Sequence, residues 1–184
     1  MDNGACSYRR FLDGDDNGFI DIIKDYKDGL ILYLNNFTEN IFIAEDLAED
    51  TFVKIVTKKP RFSGKSSFKT WLYAIGRNIA LDHLRKNRVS ETSYDEVPEL
   101  KEETETLEAQ YIKKEDQIIL HKAMGKLSPQ YKHVLWLVYF ENFSNQETAV
   151  VLKKSVRNVE TLLYRAKQSL KSELNKEGFI YEKL

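Results

Sequence analysis

The sequence predicts an all-α protein of two small helical domains, joined by a flexible acidic linker. Three observations lead there. Apolar residues recur at helical spacing along most of the chain, and no alternating run reaches strand length. The 184 residues include only 8 Gly and 3 Pro, which favours long helices over many turns. Residues 91–110 are rich in Glu, Ser and Thr, contain Pro98 and hold few apolar residues, so they interrupt the periodic pattern. The expected division is a first domain over 14–90, the acidic linker over 91–113 and a second domain over 114–178.

The first domain begins with a helix from Asp16 to Phe37, with Phe19, Ile22, Ile23, Tyr26, Leu30, Leu34 and Phe37 at helical spacing. Asp16 or Asn17 can cap it. The residues before it, including Cys6, read as a frayed terminus. A second helix spans about Ile43 to Val56, with Leu47, Thr51, Phe52 and Ile55 on one face. Its first half carries Glu45, Asp46, Glu49 and Asp50, where carboxylates suit the helix dipole. Pro60 cannot continue it, and the polar segment from Arg61 to Ser67 reads as a loop. A third helix runs from about Phe68 to Lys86, striped by Phe68, Trp71, Leu72, Ile75, Ile79 and Leu84.

Periodicity returns at Tyr111 and continues to about Met124, where Gly125 ends the helix. Ser128-Pro129 supplies a cap and a first-turn proline for a helix reaching about Tyr139. Ser144-Asn145-Gln146-Glu147 fits a capping box and opens a short helix. After Lys153-Lys154, Ser155 caps a last helix striped by Val159, Leu162, Leu163, Ala166 and Leu170.

The chemistry of an enzyme is missing. His83, His121 and His133 have no ligand spacing with each other or with Cys6, and no phosphate-binding glycine loop or hydrolase motif is present. No metal and no cofactor is expected. The paired carboxylates of the second helix read as a solvated face rather than a cation site. A single cysteine excludes an internal disulfide. No stretch approaches the roughly 18 apolar residues of a membrane span, and no basic start with an apolar run opens the chain, so a cytoplasmic protein without membrane insertion is expected.

The net charge of −1 hides alternating blocks. Residues 1–53 carry −8, 54–90 carry +9, 91–120 carry −7 and 121–184 carry +5. Two basic blocks suggest two places that meet a polyanion, although a charge run is also what a solvated helix face looks like. In residues 58–88, Lys58, Lys59, Arg61, Lys65, Lys69, Arg77, Arg85, Lys86 and Arg88 are interleaved with Phe62, Phe68, Trp71 and Tyr73. Cations that track phosphates and rings that stack on unpaired bases suit a single strand. Phe68, Trp71 and Leu72 have plain core packing as their other reading, which Trp71 fits better, and Phe62 with the Ser/Lys loop fits direct contact better. Residues 144–172 have helix-turn-helix spacing, with Arg157, Asn158, Thr161, Tyr164, Arg165 and Lys167 on the second helix. Arg and Asn read base edges, whereas Lys and Tyr hold phosphates. An ordinary helical hairpin with a charged outer face has the same pattern.

Ser67-Phe68-Lys69-Thr70-Trp71-Leu72-Tyr73-Ala74-Ile75-Gly76-Arg77-Asn78-Ile79-Ala80-Leu81-Asp82-His83-Leu84-Arg85-Lys86 resembles the promoter-melting segment of the extracytoplasmic-function (ECF) sigma factors, small two-domain members of the sigma-70 family. Ala44-Glu45-Asp46-Leu47-Ala48-Glu49-Asp50-Thr51-Phe52 resembles their polymerase-docking helix, and Leu127 through Lys167 their second domain. The resemblance covers most of residues 17–175. It implies a transcription initiation factor without catalytic activity that binds core RNA polymerase at the beta-prime clamp helices and the beta flap and directs it to promoter DNA. Asp46, Leu47, Glu49, Asp50 and Phe52 would bind the polymerase. Phe62, Ser63, Lys65, Ser66, Lys69, Trp71, Arg77, Asn78, Asp82 and Arg85 would contact the minus-10 element as a single strand. Ser155, Arg157, Asn158, Thr161, Tyr164, Arg165 and Lys167 would contact the minus-35 element as a duplex. An anti-sigma factor is an implied partner, and the acidic linker would follow the RNA-exit path.

Several residues depart from the family pattern. Glu49 stands in place of Gln, Ser128 in place of the first Pro of a Leu-Pro-Pro run, Thr148 in place of Ile and Lys153 in place of a turn glycine. Glu160 and Leu162 stand where basic residues are frequent on the reading helix. Promoter preference therefore does not carry over. Two rival readings are a free-standing helix-turn-helix regulator and a helical adaptor that binds only protein. The basic, aromatic stretch at 58–73 argues against the first, and the two basic blocks argue against the second.

Overall fold

The computed structural model describes residues 2–90 and 115–176, with side chains over 2–87 and 119–176. The described residues are helical, with no strand among them. They form two compact units. The first is built on α1 (Asn3–Leu12), α2 (Asp16–Thr38), α3 (Ile41–Lys58) and α4 (Phe68–Ser90). The second is built on α5 (Glu115–Gly125), α6 (Pro129–Leu135), α7 (Asn145–Leu152) as far as Ala149, and α8 (Val156–Lys176). No described helix is long and apolar enough to cross a membrane. The linker expected over 91–113 and the start of the helix expected at Tyr111 lie outside the described residues.

The amino-terminal residues are not frayed. They form α1, capped by the Asp2 carboxylate, which accepts from the Ala5 N–H at 3.1 Å. Tyr8 and Phe11 of α1 are buried, and burial raises the Tyr8 phenol above its ordinary 10.0. Gly18 of α2 lets the two helices touch backbone to backbone, since a Cβ there would fall on the Ser7 carbonyl oxygen. Arg10 spans the α1–α2 turn, 2.7 Å from Asp15 and 2.9 Å from Asp21, and its hydrogen bond holds the Asp15 carboxyl below its usual value.

The cap of α2 is Asp15, one residue earlier than expected, with its side chain accepting from the Asn17 N–H at 3.0 Å. Asn40 caps α3 by accepting from Phe42 and Ile43, which starts that helix at Ile41. Lys59 ends it with a left-handed φ of 41°, immediately before Pro60. The core of the unit is Ile22, Leu30 and Leu34 from α2, Ala44 and Ile55 from α3, and Phe68, Leu72 and Ala80 from α4, all fully buried. Burying each large aliphatic side chain is worth roughly 1.5–3 kcal/mol.

In the second unit Pro129 opens α6, but Ser128 makes no side-chain cap. Its backbone carbonyl instead accepts from Lys132 at 3.0 Å. The helix then widens into a π turn over Trp136–Phe140, where the Trp136 and Phe140 rings stack 4.5 Å apart. The capping box before α7 is formed in both directions: Ser144 Oγ accepts from Glu147 N at 3.2 Å, and Glu147 Oε2 accepts from Ser144 N at 3.0 Å. Lys153 takes a φ of 53° in the turn, the conformation that glycine holds most easily. Ser155 Oγ then caps α8 by accepting from Asn158 N at 3.2 Å.

Thr148 of α7 is fully buried, and its Oγ1 has no hydrogen-bond partner among the described residues. A buried hydroxyl left unpaired costs about 1–3 kcal/mol. Thr148→Val keeps the side-chain shape and removes that hydroxyl, so it should stabilise the C-terminal unit by about 1 kcal/mol. Urea unfolding monitored within that unit tests this; a loss of stability would mean that the hydroxyl is satisfied.

Candidate docking and nucleic-acid interfaces

The acidic face of α3 is divided by the helical period. Asp46, Glu49 and Asp50 are exposed, whereas Leu47 and Phe52 turn inward and are 3% and 6% exposed. Leu47 packs into the core, while the little surface that Phe52 keeps lines the groove beside the carboxylates. Accessible apolar area on this side lies at Phe42, 60% exposed, and in a groove between α2 and α3, where Phe19, Ile23 and Val53 adjoin Asp46 and Glu49. Val53 is half exposed. Sequence reasoning missed these three residues. The available signal was Val53, which with Phe42 is an apolar residue on the polar side of the helix.

The loop between α3 and α4 is held at both ends. At its start the Tyr8 hydroxyl donates to the Pro60 carbonyl at 2.7 Å. At its end the Asp2 carboxylate accepts from the Phe68 N–H at 2.6 Å, and Ser67 Oγ accepts from Thr70 N at 3.2 Å. Between these anchors Ser63, Gly64 and Lys65 are exposed, and Gly64 has a φ of 70°. Ser66 is half-buried and its hydroxyl faces the Ser67 carbonyl at 3.3 Å. Phe62 is partly exposed, and its ring packs 5.8 Å from Phe68 and 5.4 Å from Trp71. Trp71 belongs to the same aromatic group, 5.3 Å from Tyr8 and from Phe68, while remaining partly exposed.

Along α4, 100° per residue sets Trp71, Asn78, Asp82 and Arg85 on one stripe, opposite the buried Leu72, Gly76 and Ala80. Asp82 and Arg85 on that stripe form an exposed ion pair at 2.8 Å. Lys69 and Arg77 lie off it. The Lys69 ammonium sits 5.5 Å from the centre of the Tyr73 ring. Arg77 lies at the core edge, with its Nε buried and without a hydrogen-bond partner.

On α8 the same rule places Arg157, Asn158, Thr161, Tyr164 and Arg165 on one outward face, opposite the buried Val159 and Ala166. Ser155 serves as the cap, and Tyr164 is 66% exposed. The Thr161 hydroxyl donates to the Arg157 carbonyl at 3.0 Å. Lys167 lies at the flank of this face, its ammonium 5.3 Å from the centre of the Tyr139 ring.

Comparison with known proteins assigns both units. The family described as Sigma-70 region 2 matches residues 22–89, and Sigma-70, region 4 matches residues 117–170. RNA polymerase sigma factor YlaC of Bacillus subtilis is 32% identical over 168 residues, covering 85% of this chain and 91% of that protein. ECF RNA polymerase sigma factor SigW of the same organism is 27% identical, covering 88% of this chain and 91% of that protein. In fold the chain is similar to CnrH, solved with the cytosolic domain of CnrY (TM-score 0.69, 22% identity, 95% of this chain and 99% of that one). It is also similar to the sigma factor RpoE of Bartonella quintana, solved with the anti-sigma factor NepR (TM-score 0.66, 23% identity, 85% and 96%).

A region 2 unit followed by a region 4 unit defines a promoter-specificity factor for transcription initiation, a class without enzymatic activity. The chain belongs to the sigma-70 family of RNA polymerase sigma factors, in its ECF subfamily. The free-standing regulator and the protein-only adaptor are thereby set aside.

Proposed function

We propose that this sigma factor divides its work among three surfaces. The exposed carboxylates of α3 and the adjoining groove dock on the beta-prime clamp helices of core RNA polymerase. The 61–67 loop and the outer stripe of α4 take the minus-10 element as a single strand. The outward face of α8 reads the minus-35 element as a duplex, with the second domain against the beta flap. The domains serving these roles are 14–90 and 114–178, with 91–113 between them. The factor works in the cytoplasm under an anti-sigma partner, a reading favoured by the RpoE–NepR complex.

The observation that carries this reading is the pairing, in one chain, of a polar loop anchored at both ends with a basic helix face turned outward. Overexpression of the chain in its host, with mapping of new transcript starts, tests the whole assignment. The new starts should share an upstream motif in two blocks; their absence would overturn it.

Three residue-level outcomes follow from the surfaces. Asp46→Arg with Asp50→Arg should weaken core binding while leaving the fold intact. Charge reversal at exposed sites costs little stability but turns complementarity into repulsion. A pull-down of core polymerase by the folded double variant reads this directly, and undiminished capture would remove α3 from the docking surface.

Arg157→Ala should relax preference at one upstream base pair, by roughly 1–3 kcal/mol for a bidentate contact. Lys167→Ala should weaken all sites alike and flatten the salt dependence. Selection from a randomised upstream element separates the two; an unchanged motif for Arg157→Ala would count against base reading.

Replacing Ser63–Ser67 with a Gly-Ser linker should spare core binding and closed-complex formation but abolish opening of paired promoters. A template already mismatched across the minus-10 element should recover part of the activity. Normal permanganate reactivity of thymines on fully paired DNA would reduce the loop to a connector.

A further inference from the structure

We propose that α1 is a positioning element for the single-strand-reading loop, acting through the Asp2 carboxylate and the Tyr8 hydroxyl; this rests on the loop reading given above. The two residues hold the two ends of one segment. Tyr8 fixes the carbonyl of Pro60, where the chain leaves α3. Asp2 fixes the N–H of Phe68, where α4 begins. One carboxylate thus starts two helices: Oδ1 accepts from Ala5 of α1, and Oδ2 accepts from Phe68 of α4, 66 residues away in sequence.

The support itself is rigidly seated. Gly4 lies so close to the Phe68 ring and the Tyr26 hydroxyl that a Cβ would overlap both. Gly18 brings the α2 backbone against the Ser7 carbonyl. The Tyr8 ring packs against Phe68 at 5.5 Å and Trp71 at 5.3 Å, and both of those rings hold Phe62 at the root of the loop. A shift of α1 would therefore move both loop ends and the ring beneath them. Extruding a base costs unstacking energy, and a loop already held in shape spends less of its contact energy on its own ordering.

The test uses holoenzyme carrying the full chain and a promoter mapped as above. Two substitutions remove the ties with little change of shape. Tyr8→Phe keeps the ring and loses the hydroxyl. Asp2→Asn keeps one acceptor oxygen and places an amide against the N–H of Ala5 or Phe68, donor to donor, so one cap is lost. The probe is a fluorescent single-stranded oligonucleotide carrying the non-template minus-10 element. Each variant should bind it roughly two- to tenfold more weakly, the range set by one ordinary hydrogen bond. Opening should slow in parallel while core affinity and closed-complex formation stay unchanged. Amide exchange over 61–68 should quicken without a matching rise across α2 and α3.

The Gly-Ser replacement of Ser63–Ser67 runs beside them. If the replacement fails to open promoters but both point variants bind and open as wild type, the positioning role is overturned and the loop reading stands. Normal opening by the replacement overturns both. A loss of core affinity equal to the loss of single-strand affinity overturns the proposal by making α1 a general support of the fold.

Discussion

Phe68 is the residue on which the N-terminal unit is assembled. Its ring is fully buried and meets Tyr8, Tyr26, Phe62 and Trp71, so α1, α2, the α3–α4 loop and α4 all close on one side chain. Its backbone N–H is a first-turn helix donor with no partner inside its own helix, and Asp2 supplies one. Packing and capping thus converge at the same position. The polar loop before it can be exposed because its end is fixed by burial rather than by contacts of its own.

The same economy runs through both units. Each helix gives one face to a core and leaves its chemistry on the other, as 3.6 residues per turn dictates. On α3 the outer face is carboxylate, on α8 it is guanidinium, amide and phenol, and on α4 it holds an indole, an amide and an ion pair. In the proposed reading these surfaces recognise by shape, charge and hydrogen-bonding edges, as befits a factor whose task is placement rather than bond making.

Much of this was legible in the sequence, for identifiable reasons. The stripes of α2 and α4 are long and regular, so their type and approximate extent followed from spacing. The Ser144–Glu147 box and the Ser155 cap are short-range devices written in adjacent residues. What was not legible depended on partners far away in sequence. Met1 to Leu12 is too short and polar to announce a helix, and the residues that stabilise it, Tyr26, Phe68 and Trp71, belong to α2 and α4. Leu47 and Phe52 were seen as apolar, but whether such a residue faces a core or a partner is decided by the packing of α2. Likewise, nothing local reveals that Phe62 packs on other rings, or that the Arg77 Nε is buried.

The tie between Asp2 and Phe68 also bears on how the chain is made. Asp2 leaves the ribosome before Phe68, its partner 66 positions later. Synthesis at roughly 5–20 residues per second puts several seconds between the emergence of the two. During that interval α1 lacks the ring that seats it, and ten residues alone are too few for a stable helix in water. Although translated before α4, α1 is therefore among the last helices of its unit to settle. Under the proposed reading, the loop between α3 and α4 acquires its final shape only after α4 has emerged, so a nascent chain interrupted before that point carries no working single-strand reader.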